Sequence, residues 1–163
     1  SVLSIMVEND LGSTTDVVES QKLVVPSYIP NRLNLPPDDI DLLARLVHAE
    51  AGGEPYYGQV AVAATVLNKI SSPHYPDDVK GVILQIVDGH YQYSPYLDGR
   101  LWLQPGRSAY RAVMDAVNGW DPSLGAIGFY NPAKTGNQWV RKQPQTVIIA
   151  NHVFFKHPTS EIS

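Results

Sequence analysis

The periodicity of apolar residues changes once along this chain, at Trp120-Asp121-Pro122, and that change limits the folds open to it. Upstream, apolar residues recur three and four apart, the spacing of a single helix face. Four such stripes can be read: Leu43, Leu46 and Val47; Val60, Ala63, Ala64, Leu67 and Ile70; Val79, Val82, Ile83 and Ile86; and Ala109, Ala112, Val113, Ala116 and Val117. Downstream, Ile127–Pro132 and Thr146–Ile149 are β-rich, Gln138-Trp139-Val140 lies between them, and His152–Lys156 closes the domain. Helices first and a small antiparallel sheet last predict an α+β domain, mainly helical. There is no internal repeat.

Local signals give expected boundaries. Asp38 or Asp39 caps the first helix, and the Gly52-Gly53 pair ends it in a left-handed turn. Glu54-Pro55 opens the second helix, which Ser71-Ser72-Pro73 stops. The third follows Asp77-Asp78 and ends near Gly89, with Ile86 inward. His90–Trp102 reads as an irregular surface loop with four aromatics and an Asp98-Gly99 turn. The fourth helix runs from Ser108 to Asn118, capped by Gly119. Trp102 and Trp120 are assigned to the core.

With 163 residues, 44% hydrophobic and 17% charged, the chain can build an ordinary core. Its net charge of −4 is uneven. Residues 1–30 hold Glu8, Asp10, Asp16 and Glu19 against Lys22, while the remainder is nearly balanced. No basic stripe is available for nucleic acid, and no polybasic face for a membrane surface. An uncharged polymer read by hydrogen bonds and stacking suits this balance better. The absence of cysteine removes disulfides, thiol catalysis and thiolate metal sites. No run of about 18 apolar residues suggests membrane insertion. The N-terminus lacks a basic region followed by an apolar one, so an exported protein would carry its address elsewhere.

Glu50 is the candidate that carries chemistry. It ends the run Ile40–Glu50 and shares a helix face with Leu43, Leu46 and Val47. A carboxyl on that stripe is desolvated, and the negative end of the helix dipole repels its charged form. Both effects favour the protonated acid that a glycosidic leaving oxygen requires. A frayed, solvated helix end is the alternative reading from the pattern alone. His48 and Glu50 point to different faces, and His74, His90, His152 and His157 have no ligand spacing, so neither a metal nor another cofactor is expected.

The stretch Ala44–Pro55, followed by Gly58–Asn68, resembles the spore cortex-lytic and cell-wall hydrolase family of SleB and CwlJ. Further matches are Tyr93-Ser94, Asp98-Gly99, Ala112–Trp120, Asp121-Pro122, Phe129–Pro132 and Trp139, in order over roughly residues 39–156. Position 48 departs from the pattern, with histidine where glycine is frequent. The resemblance implies a lysozyme-like lytic transglycosylase domain that cuts the β-1,4 bond between N-acetylmuramic acid and N-acetylglucosamine. Glu50 takes the position of the family's catalytic glutamate. It would protonate the leaving oxygen and then accept the proton of the sugar's own C6 hydroxyl, leaving a 1,6-anhydro end. Residues 1–26 resemble the second half of a LysM carbohydrate-binding module, with Ser20 at the usual glycine of its Gly-Gln-x-Leu-x-Val-Pro pattern. Whether that piece contacts glycan or is a remnant stays open. Residues 27–37 would be a proline-rich linker and 38–163 the catalytic domain.

Candidate substrate contacts are Glu54, Gln92, Tyr93, Ser94, Tyr130, Asn131 and Trp139. Glu54 precedes proline, which disfavours helical geometry, so it lies off the Glu50 stripe. Tyr93 and Tyr130 each adjoin polar residues and could stack on sugar rings, and Asn131 could hold an N-acetyl group or simply make a turn. The expected partner is the peptidoglycan strand in cell wall or spore cortex, met by an exported monomer. An amidase acting at the muramoyl–L-alanine bond and a non-catalytic glycan-binding protein are the alternatives.

Overall fold

The computed structural model describes residues 31–157, together with 17–23, Ile5, Asn9 and Leu11. Most of the LysM-like segment and the start of the linker therefore lie outside the described residues. Within the described part, Ser20 has φ 66°, in the left-handed region. A glycine would adopt that conformation without strain.

The first helix, α1, spans Pro37–Ala51, and Pro36 rather than an aspartate is its N-cap. Asp38 and Asp39 occupy its first turn instead, where acids suit the positive end of the dipole. Just before it, residues 31–35 are closed by Asn31, whose Nδ2 donates to the Leu35 carbonyl at 2.9 Å while its Oδ1 accepts from the Leu35 N–H at 3.1 Å. This part of the expected linker is a local turn. At the other end Gly52 has φ −60° and ψ −26°, so the helix leaves through a right-handed turn, not the expected left-handed one.

Helix α2, Tyr56–Ile70, is buried almost all round. Such a helix belongs at a domain's centre, and its alanines admit close neighbours. It packs against α1 and against α4, Arg107–Val117, which also touches α1. Gly119, at φ +103°, follows α4 as expected. Helix α3 is only Val79–Ile83, capped by Asp78. Its expected extension to Gly89 is replaced by a hairpin of β1, Ile86–Val87, and β2, His90–Tyr91. Asp88 and Gly89 turn it with φ 51° and 78°, the positive pair that two-residue hairpins favour. Ile86 is consequently 54% exposed rather than inward.

The segment that follows has more order than an irregular loop. It contains 3₁₀ turns at Ser94–Tyr96 and Arg100–Trp102, anchored by buried Tyr93, Pro95 and Leu101. The second turn packs on α1.

Strands β3 (Gly128–Tyr130), β4 (Gln145–Ile149) and β5 (His152–Phe155) form an antiparallel sheet in the order β3-β5-β4. The expected C-terminal sheet is present, and Gln138–Arg141 between β3 and β4 is a short helix, α5. Alternation along β5 gives the sheet two apolar faces. Phe154 joins the main helical core, whereas Val153 and Phe155 form a second cluster with Tyr130, Ile127 and Val140. Trp102 and Trp120 are 59% and 46% exposed, which corrects their assignment to the core. Trp102 is the last residue of its 3₁₀ turn and Trp120 lies just beyond α4, and both are exposed to solvent.

Candidate active site

Leu43, Leu46 and Val47 are fully buried, and one turn further on the same face places Glu50 in the last turn of α1. Its carboxyl accepts no hydrogen bond from the described residues. Burial raises its pKa above the ordinary glutamate value; Arg100 and Lys134 pull the other way, and Asp98 adds to the rise. The net shift is upward, toward the protonated form.

Glu54 sits in the connection to α2 and is treated oppositely. Burial alone would raise its pKa, but hydrogen bonds from the side chain and backbone of Asn151, with help from His152 and Lys134, hold it below the ordinary value. Asn151 Nδ2 donates to Oε1 at 2.9 Å, and its backbone N–H donates to Oε2 at 3.3 Å. Asn151 lies in the β4–β5 turn, so this ionised carboxylate ties the start of α2 to the sheet. The neighbouring His152 is buried, and its pKa is lowered by that burial, with Glu54 opposing and Lys134 reinforcing.

Lys134 acts on Glu50, Glu54 and His152 together. Its position comes from Asn131, whose carbonyl accepts the Lys134 and Thr135 N–H groups, each at 3.0 Å, and whose Oδ1 accepts from Ala133. Asn131 is thus a turn former beside the site. Ser94 also lies near it, exposed, with its Oγ 3.5 Å from Arg100 Nη2.

The other expected contacts are placed differently. Tyr93 is only 6% exposed; the buried Lys69 lies 5.0 Å from its ring centroid and donates to its hydroxyl at 3.4 Å. Tyr130 is enclosed in the second cluster beside Phe155. Gln92 is exposed, its backbone N–H donating to the Gln85 carbonyl. Trp139 is half exposed, packed edge-on against Phe155 and His157. Sequence reasoning missed Arg100, Lys134, Asn151 and His152 as neighbours of the two glutamates. Only the Asp98-Gly99 turn pointed toward one of them. Among the described residues, no group of three or more His, Asp or Glu is placed to hold a metal ion.

These features define an α+β domain, mostly helical, that presents a desolvated acid at a helix end and a second carboxylate held in hydrogen bonds. A family model described as cell wall hydrolase matches residues 53–155, and the chain belongs to that family. The match begins just after Glu50. Spore cortex-lytic enzymes are similar: that of Oceanobacillus iheyensis is 44% identical over 119 residues, 73% of this chain and 42% of the relative. That of Bacillus subtilis is 44% identical over 117 residues, 72% of this chain and 37% of the relative. The chain thus spans about two fifths of the curated relatives it matches.

Among solved structures, the catalytic domain of the germination-specific lytic transglycosylase SleB from Bacillus anthracis superposes with a TM-score of 0.69 at 38% identity, covering 81% of this chain and 100% of that one. The catalytic domain of Bacillus cereus SleB gives 0.68 at 39% identity, covering 81% and 98%.

Proposed function

We propose that this domain is a peptidoglycan lytic transglycosylase that cleaves the β-1,4 bond between N-acetylmuramic acid and N-acetylglucosamine. The observation that carries this reading is the contrast between Glu50 and Glu54. One carboxyl is desolvated and accepts no hydrogen bond from the described residues, which suits a proton donor; the other is held below the ordinary value and committed to Asn151. Glu50 protonates the leaving oxygen, and its carboxylate then takes the proton of the C6 hydroxyl as that oxygen attacks the anomeric carbon. The product is a 1,6-anhydromuramoyl end. One residue serves both proton transfers, so the paired carboxylates of an ordinary glycosidase are not needed.

The names of the similar proteins support spore cortex as the substrate and germination as the occasion. They also support an exported protein acting outside the membrane. Among the described residues no helix is long and apolar enough to cross one. We take the acting species to be a monomer. As substrate contacts we retain Glu54, which is bonded to Asn151, Ser94 beside Arg100, and Asn131, whose turn carries Lys134. The exposed Gln92 and half-exposed Trp139 are retained with them; Tyr93 and Tyr130 are enclosed in packing and are not offered as contacts.

A metal-dependent amidase would need a cluster of ligands, and among the described residues no group of three or more His, Asp or Glu is placed to form one. Digestion of purified cortex and vegetative sacculi, followed by mass spectrometry, tests the proposal. Anhydro-muropeptides are the expected products, and lysis should persist after extensive EDTA treatment. Free stem peptides, with activity lost to EDTA and restored by zinc, would make the domain an amidase. Binding without any product would make it a glycan-binding module.

A further inference from the structure

Arg100 begins the 3₁₀ turn that packs on α1, and its guanidinium is divided between two tasks. Nη1 donates to the Ala49 carbonyl at 2.6 Å, one of the acceptors that a helix C-terminus leaves unpaired. Nε donates to Asp98 Oδ2 at 2.9 Å, and Nη2 lies 2.8 Å from the same oxygen. Asp98 Oδ1 accepts the Arg100 backbone N–H at 3.0 Å. Gly99 makes this fold-back possible with φ +82°, a conformation that most residues resist. A cation pinned to the end of α1 is a hazard for a proton donor one residue away, because a nearby positive charge favours the carboxylate. Asp98 supplies the opposite charge and holds the Nε–Nη2 side of the same guanidinium.

We propose that Asp98 and Arg100 form a charge-balanced positioning pair, in which Arg100 pins the last turn of α1 and Asp98 keeps the guanidinium off the Glu50 carboxyl. This rests on the reading of Glu50 as the acid. Lys134, from the loop after β3, is the other charged group facing Glu50, and it favours the carboxylate. Its effect stays constant when the pair is altered.

The test is the pH profile of sacculus lysis by Asp98→Asn, Arg100→Gln and the double variant, with folding checked by thermal melts. The pair is partly exposed, so low ionic strength is needed to limit screening. Asp98→Asn keeps the shape and removes the balancing charge. Its alkaline limb should move down by about one pH unit. Arg100→Gln should move it up, and the double variant should return close to the wild-type profile. Titration of the Glu50 carboxyl by carbon-13 NMR in Asp98→Asn should shift in the same direction, and this readout needs no activity. A uniform loss at every pH, with the Glu50 titration unmoved, would overturn the pair and leave only a structural role. Glu50→Gln is the separating control. If it is inactive throughout while Asp98→Asn shows no shift, the pair alone fails; if it remains active, the reading of Glu50 fails.

Discussion

Glu50 and Glu54 are four residues apart, and their surroundings shift their pKa values in opposite directions. Glu50 has a pKa raised by burial, so ionising it costs stability as pH climbs through the interval between the unfolded value, about 4.3, and the higher folded one. Glu50→Gln should therefore be equally or more stable than wild type at neutral pH. The gain should vanish at and below about pH 4, where both states of the wild-type residue are protonated. Thermal melts across that range check the sign, and a Gln variant clearly less stable at pH 7 would make Glu50 a charge-paired structural residue. For Glu54 the sign reverses: its lowered pKa contributes stability that is present above the unfolded value and lost as pH falls through the folded one. The desolvated setting of Glu50 was legible in the sequence, because the carboxyl sits on the Leu43–Leu46–Val47 stripe. The role of Glu54 was not, because its partner Asn151 is 97 residues away.

Strand β5 shows how two apolar faces arise from one short element. His152 and Phe154 turn toward the helices, while Val153 and Phe155 turn to the second cluster. Gly128 pairs with Phe155 across the sheet, and a Cβ at Gly128 would lie 2.5 Å from the Phe155 ring. Gly128→Ala should thus cost about 1–3 kcal/mol through overpacking, measurable as a lowered denaturation midpoint with an unchanged slope. An unchanged midpoint would mean that Phe155 moves aside freely. The four helical stripes and the C-terminal strands were readable from periodicity, because burial imposes it. Boundaries were less so. Pro36 rather than an aspartate caps α1, and the Asp88-Gly89 hairpin ends the third stripe before Ile86. At Ile86 the backbone geometry of the hairpin overrides an apolar pattern that continues in the sequence. Trp102 ends a short 3₁₀ turn and Trp120 follows α4, and at such element ends hydrophobicity alone does not decide exposure.

At the scale of the molecule, the site is assembled where the end of α1, the Asp98–Arg100 turn, the loop carrying Lys134 and the β4–β5 turn converge. No sequence spacing encodes that meeting; it follows from α1 packing on α2 and α4, with the sheet tied back through Glu54. The assembly desolvates Glu50 at the end of α1 while Glu54, four residues on, is committed to Asn151. Lysis of purified sacculi by Glu50→Gln beside Glu54→Gln, with both proteins shown to be folded, is the most direct measurement. Glu50→Gln should fall at least about a hundredfold, the contribution expected of a general acid, while Glu54→Gln should lose markedly less. Residual activity of Glu50→Gln above a few per cent of wild type, or an equal loss in Glu54→Gln, would contradict the assignment of the chemistry to Glu50 alone.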